Sequence, residues 1–175
     1  GQILLWEGQP IEVFYHAASG GKTEDAAHVF SQSLPYLVSV SSQGEAGEAA
    51  AAQEQSFSRE DFVSKVHRLY PKAGLSASQL ESQVAILSRN ESDRVDAIRV
   101  GQVDLTGVQL RQALGLRSTN FTFRVTSDAI VFTTQGYGHG VGMSQAGAQA
   151  MALSGQTYVD ILTHYYPGVT LAALS

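Results

Sequence analysis

From Gln135 to Gln145 the chain reads QGYGHGVGMSQ, with Gly136, Gly138, Gly140 and Gly142 at alternate positions and Tyr137, His139 and Val141 between them. Glycine lacks the Cβ that confines φ to negative values, so this backbone is written for left-handed turns and for close approach to another group, not for a simple strand. Upstream, Ala129 to Thr134 carries the β-branched and aromatic residues of a strand, and downstream Ser144 is placed to cap a helix running to Leu153. Strand, glycine loop and helix N-terminus therefore follow one another. The loop offers backbone N–H groups together with the side chains of Tyr137, His139, Ser144 and Gln145. Spacing alone leaves two uses open, a ligand-binding loop and a tight turn with a structural histidine. It excludes the phosphate fingerprints, because no Lys follows the glycines as in a P-loop and no βαβ unit surrounds them.

A second loop of this kind lies near the start. His16 leads into Ala17, Ala18, Ser19, Gly20, Gly21, Lys22 and Thr23, where Ser19 and Thr23 flank a glycine pair and a tight turn exposes hydroxyls and N–H groups.

These two blocks carry a resemblance. The run GYGHGVGMSQAGAQAMALSGQTYVDILTHYYPGVTL closely resembles the C-terminal signature of the stage II sporulation protein D family, which includes the LytB-type amidase enhancers. FYHAASGGKTEDAAHVF followed by PYLVSV resembles that family's central signature, and GLRSTNFT between the blocks is similar as well. The resemblance implies lytic transglycosylases that work outside the cytoplasmic membrane on peptidoglycan glycan strands stripped of stem peptides. In that chemistry one carboxylic acid protonates the oxygen joining N-acetylmuramic acid to N-acetylglucosamine. As carboxylate, it then helps the muramyl 6-hydroxyl close an anhydro ring.

In the family that glutamate precedes the central signature, within a segment that has no counterpart here. The expectation is therefore a C-terminal portion of the domain, bearing the glycan-binding half of the cleft, with the catalytic residue unassigned. Glu12 and Glu24 read as exposed carboxylates. The substrate-binding set is His16, Ser19, Gly20, Gly21, Thr23, Tyr137, Gly138, His139, Gly140, Gly142, Ser144 and Gln145, with the two loops forming one groove. His139, flanked by glycines with no neighbouring side chain to bury it, is expected to face the cleft and to titrate near an unperturbed value of about 6.5. The alternative use is a non-catalytic enhancer of an N-acetylmuramoyl-L-alanine amidase. No cofactor is expected. Some members hold zinc with Cys and His, for which only His16 and His28 could stand in, and no metal is assigned. Localisation follows the family: extracytoplasmic, in the cell wall or associated with the membrane through a segment absent from this chain.

Composition bounds the rest. At 175 residues, 43% hydrophobic and 15% charged, the chain suits one domain able to bury a core. A net charge of −5 without a basic cluster lacks the footprint of a nucleic-acid binder. No apolar run approaches the roughly 20 residues that span a bilayer, so no transmembrane segment is expected in this chain. The absence of cysteine removes disulfides and thiolate metal sites.

Read in order, Gln2 to Trp6 and Ile11 to His16 form a hairpin, Glu24 to Phe30 a short helix and Leu34 to Ser41 a strand. Gln43 to Gln55, almost free of large apolar residues, reads as a mobile loop whose acidic groups are solvated. Ser58 with Asp61 starts a helix from Arg59 to Tyr70, and Ser78 with Glu81 a shorter one near Gln79 to Gln83. Strands follow at Val84 to Ser88, Arg94 to Val100 and Gln102 to Leu105, then a helix opened by Thr106 with Gln109 and closed by Gly115. Asn120 to Thr126 pairs with Ala129 to Thr134. Helices at Gln145 to Leu153 and Tyr158 to Tyr166, and a strand around Val169 to Leu171, complete the chain. The class is α+β, with short antiparallel strands and hairpins and several packed helices in a single domain of residues 1–175.

Overall fold

The computed structural model describes residues 1–30 and 32–173. In chain order its elements are β1 (Gln2–Trp6), β2 (Gln9–Pro10), β3 (Tyr15–His16), α1 (Ala26–Phe30), β4 (Gln53–Ser58), α2 (Arg59–Leu69), α3 (Leu80–Gln83), β5 (Val84–Arg89), β6 (Val95–Val100), β7 (Val103–Thr106), α4 (Gly107–Leu114), β8 (Phe121–Val125), β9 (Ala129–Thr134), β10 (Met143–Ser144), α5 (Gln145–Leu153), α6 (Tyr158–Tyr165) and β11 (Thr170–Ala173). Helices and small, largely antiparallel sheets make this the expected α+β class. The chain divides into two compact units, Gly1–Ala51 with Gly136–Ser175, and Ala52–Gln135.

In the Ala52–Gln135 unit the helix starts follow the sequence. Ser58 accepts a bond from the Asp61 N–H at 3.1 Å, and Thr106 and Gln109 form a reciprocal capping box that opens α4, which Gly115 ends at φ 70°. Two antiparallel sheets, ordered β4-β9-β8 and β5-β6-β7, enclose the apolar core of this unit. Phe132 on β9 is its centre. That ring is fully buried and lies 5.6 to 6.1 Å, centroid to centroid, from Phe57, Phe62, Phe121 and Phe123, within the range in which aromatic pairs add to area burial.

The other unit builds a sheet ordered β11-β1-β2 and a short parallel pair, β10 with β3, around Leu37, Val141, Tyr165 and Tyr166. Three expectations change, two in this unit and one in the Ala52–Gln135 unit. The hairpin partner of β1 is Gln9–Pro10, whereas Ile11 to Phe14 forms no strand and Tyr15–His16 pairs with Met143–Ser144. Leu34 to Ser41 is not a strand. The chain turns as the Leu37 N–H bonds the Leu34 carbonyl, Leu37 O accepts from the Ala26 N–H, and Val40 bonds the backbone and hydroxyl of Thr23 without a strand ladder. Gln43 to Gln55 is not one loop either, since Gln53 to Gln55 open β4 and pair with Phe132 to Thr134. In each case long-range pairing, invisible to local propensity, sets the conformation.

Phe132→Ala should cost the Ala52–Gln135 unit about 3–5 kcal/mol by transfer and cavity terms. The measurement is the urea midpoint at unchanged m-value; a loss below about 1 kcal/mol would mean that the aromatic cluster does not anchor this core.

Candidate functional site

Both glycine-rich loops belong to the Gly1–Ala51 and Gly136–Ser175 unit, and the structure brings them together through backbone bonds. Ala18 and Tyr137 exchange a pair, N to O at 3.2 and 2.8 Å, and Met143 N–H donates to Phe14 O at 3.0 Å. Ala146 N–H reaches Ala17 O at 3.0 Å, and Glu24 N–H reaches Gly140 O at 2.8 Å. The glycines of the later loop take the left-handed conformations that their spacing predicts, with φ of 73°, 116°, 87° and 74° at Gly136, Gly138, Gly140 and Gly142. Proximity demands glycine as well. A Cβ on Gly142 would lie 2.1 Å from Phe14 O, and one on Gly138 would lie 2.7 Å from His16 Cβ.

The side chain that fastens the loops is one the sequence reading set aside as solvated. Glu45 Oε1 accepts the Ser19 N–H at 3.0 Å and the hydroxyls of Ser19, Ser42 and Ser144 at 2.7, 2.8 and 2.6 Å, while Oε2 accepts the Gly20 N–H at 2.9 Å. Each hydroxyl is held from behind: Gly21 N–H donates to Ser19 Oγ and Gly147 N–H to Ser144 Oγ, both at 3.1 Å. Ser42 Oγ lies 2.6 Å from the Tyr165 hydroxyl. Since Ser42 has one proton and gives it to Glu45, Tyr165 is the donor there. Burial raises the Glu45 pKa, but the bonds from Ser144 and Ser19 and the backbone of Ser19 and Gly20 outweigh it and hold the carboxyl below its ordinary value. Burial likewise raises Tyr165, partly offset by its bond to Ser42, keeping it a neutral donor. Gly147 makes this possible, because a Cβ there would lie 2.0 Å from the Tyr165 hydroxyl and 2.1 Å from Ser42 Oγ.

This arrangement redistributes the expected contacts. Ser19, Thr23 and Ser144 are fully buried, so their hydroxyls point into the protein and not at a ligand. Thr23 Oγ1 instead accepts the Val40 N–H at 2.8 Å. His16 is buried too, its Nδ1 3.2 Å from Val141 O, which makes Nδ1 the donor. Glu24, expected to be exposed, is 2% exposed, and its Oε1 lies 3.1 Å from His28 Nδ1 and accepts the Asp25 N–H. Among the described residues no three of His, Cys, Asp and Glu gather into a group able to hold a metal ion. His16 and His28 turn to Val141 and Glu24 respectively.

What remains at the surface is aromatic. His139 is half-buried, contrary to the expectation that glycine neighbours leave it bare: the rings of Phe30, His16 and Phe14 lie 5.7, 5.8 and 6.2 Å from its own. Its Nδ1 accepts the Val141 N–H at 3.0 Å, so the neutral ring carries its proton on Nε2. Phe30 packs on Phe14 at 4.7 Å yet is 41% exposed, with Tyr137 at 49% and Tyr15 at 59%. Gln145 is exposed, and Gly20, Gly21 and Gly138 are partly so. Phe14, Tyr15 and Phe30 were missed because apolar residues in short elements read as core; the signal was an aromatic pair directly preceding His16.

The chain is 34% identical over 172 residues to the stage II sporulation protein D of Bacillus amyloliquefaciens, and 33% identical over 172 residues to that of Bacillus subtilis strain 168. Each match covers 98% of the chain and 48% of the relative. With the amidase enhancer of Bacillus subtilis strain 168 it shares 25% identity over 223 residues, covering 99% of the chain and 31% of that protein. The chain thus spans about half the length, or less, of these curated relatives. No family model matches it.

Every group around Glu45 is a donor, so a protonated carboxyl or an amide would place a hydrogen against hydrogens. Glu45→Gln should destabilise this unit by about 2 kcal/mol, allowing for a carboxylate that is only partly buried. The folded pKa is depressed, so the contribution is complete above the unfolded value of about 4.3 and is lost as pH falls through the folded one. Thermal unfolding from pH 7 to 3 should show this acid limb steeper in the wild type than in Glu45→Gln; parallel curves would refute the carboxylate's role.

Proposed function

The chain belongs to the stage II sporulation protein D and amidase-enhancer family, and we propose that it recognises peptidoglycan glycan strands and that the whole protein is a lytic transglycosylase cleaving the bond between N-acetylmuramic acid and N-acetylglucosamine in denuded glycan. The observation that carries this reading is the partly exposed cluster of Phe14 and Phe30 around His139, with the exposed ring of Tyr137 two residues away on the same loop as His139. Exposed aromatic surface rimmed by polar groups marks a ligand site, and pyranose rings present apolar C–H faces that stack on such rings. The Nε2–H of His139 and the amide of Gln145 supply polar groups for sugar hydroxyls and N-acetyl carbonyls.

Glu45 does not serve as the acid of this reaction. It is ionised, surrounded by donors and without a proton to give, so it acts as a positioning residue. The acid of the reaction is not assigned to any residue described around Glu45 or His139. The site of action is extracytoplasmic; in this chain no described helix is long and apolar enough to cross a membrane.

The match to a protein named amidase enhancer supports a second reading, in which the same face engages a cell-wall amidase. The two readings separate in one set of measurements. On the glycan reading, this chain binds denuded glycan strands in a pelleting assay and releases no anhydromuramyl product by itself. Phe30→Ala, at a partly exposed ring, should weaken binding about tenfold, roughly 1.4 kcal/mol, with the fold retained. His139→Ala should lower both binding and melting, because the Val141 bond is lost with the ring. Absence of glycan affinity, together with faster cleavage by a cognate amidase, would overturn the glycan reading in favour of the second.

A further inference from the structure

Away from both loops, the segment after Ser41 and helix α5 enclose two adjoining cavities. The larger, about 640 Å³, runs from Ser41 to Gly44 across Ala150, Met151 and Gln156 to His164. The smaller, about 220 Å³, continues past Ala46, Gly47, Ala146 and Gln149. They share Gly44, Ala150 and Leu153. Gly44 and Ala150 form the neck, where a Cβ added to Gly44 would stand 3.4 Å from the Ala150 Cβ. The walls are built into the fold: His164 Nε2 donates to Ser41 O at 2.6 Å, and Ser42 joins Tyr165 to Glu45. A cavity of this size lies within the usual range of small-ligand sites.

We propose that this groove is a second saccharide site that takes an uncharged N-acetylated sugar of two or more residues, one lobe on each side of the neck. No Lys, Arg, Asp or Glu lines either cavity. Carboxylate-bearing stem peptides and phosphate-bearing polymers, which need a cation beside them, are thereby disfavoured. The amides of Gln149 and Gln156 make no hydrogen bond with any described residue, and Gln43 uses only its Nε2, bonded to Ser41 Oγ at 3.2 Å. Donors and acceptors on neutral amides match hydroxyls and N-acetyl groups. The small side chains of Ala46, Ala146 and Ala150 let a ring approach, and Met151 with Leu153, 82% exposed, offers the apolar contact for an acetyl methyl. A helical peptide would need a continuous apolar stripe, and an extended one a free strand edge; the walls here supply neither. The choice of a sugar over other uncharged ligands rests on the glycan reading, but the groove is separate from the aromatic face and is tested separately.

The probe is tetra-N-acetylchitotetraose, titrated into the ¹⁵N-labelled chain. Amide shifts are expected across residues 41–47 and 146–156, with an affinity unchanged between about 50 and 500 mM salt, since no charge pair is screened. Ala150→Phe, which closes the neck, should weaken these shifts at least tenfold and leave those at residues 137–143 in place. Gln149→Ala with Gln156→Ala, both at exposed positions, should weaken them in the same direction without altering the fold. Shifts confined to residues 137–143 would overturn the second site while sparing the loop site; shifts confined to the groove would do the reverse. Shifts produced by a cognate amidase but not by the sugar would assign the groove to a protein partner and end the proposal.

Discussion

One carboxylate holds the candidate site together. Glu45 gathers the hydroxyls of Ser19, Ser42 and Ser144 and the N–H groups of Ser19 and Gly20, and the farthest of these donors lies 99 positions from Glu45 in sequence. An ionised carboxylate accepts only, and here it meets donors only, so the arrangement has a single satisfied protonation state. Each serine passes the constraint onward by accepting from Gly21, Gly147 or Tyr165. The result is a relay in which the first loop, the cap of α5 and the ring of Tyr165 are fixed relative to one point. Partial exposure of the carboxylate keeps the cost of burying it moderate.

Backbone pairing completes what the carboxylate begins. The Ala18 and Tyr137 pair, the bond from Met143 to Phe14 and the bond from Glu24 to Gly140 leave no space for side chains at Gly138 and Gly142. Tyr166 secures the same corner from below. Its hydroxyl donates to Phe14 O at 2.7 Å, and burial pushes its pKa up to about 12, so it is a neutral donor at neutral pH. Rigid loops of this kind carry exposed groups with little loss of conformational entropy on binding, which suits aromatic rings that must meet a ligand face to face.

The consequence for chemistry is a division of labour. Polar side chains that look suited to a ligand are used internally, and what stays at the surface is rings, one half-buried imidazole, one amide and part of the glycine backbone. Such a surface is apolar more than charged, in keeping with a chain that carries no basic cluster.

Residue order alone made several features legible, each because its physics is local. The positive φ angles of Gly136 to Gly142 follow from the missing Cβ. The caps at Ser58, Thr106 and Ser144 follow from a side-chain oxygen reaching an N–H within the same turn. The family followed from two motif blocks in order, and α+β from the mixture of short capped helices and paired strands. Tertiary structure decided what local rules do not reach. Glu45 sits in a stretch of Ala, Gly, Gln and Glu whose composition reads as solvated, and only the approach of two distant serines, Ser19 and Ser144, beside the nearby Ser42 turns it into the centre of the site. Leu34 to Ser41 has the residues of a strand but no neighbouring strand to pair with, and Gln53 to Gln55 have poor strand propensity but find β9. Burial of Ser19, Thr23, Ser144 and Glu24, and exposure of Phe30 and Tyr15, were settled the same way, because whether a side chain faces water depends on which other parts of the chain arrive to cover it.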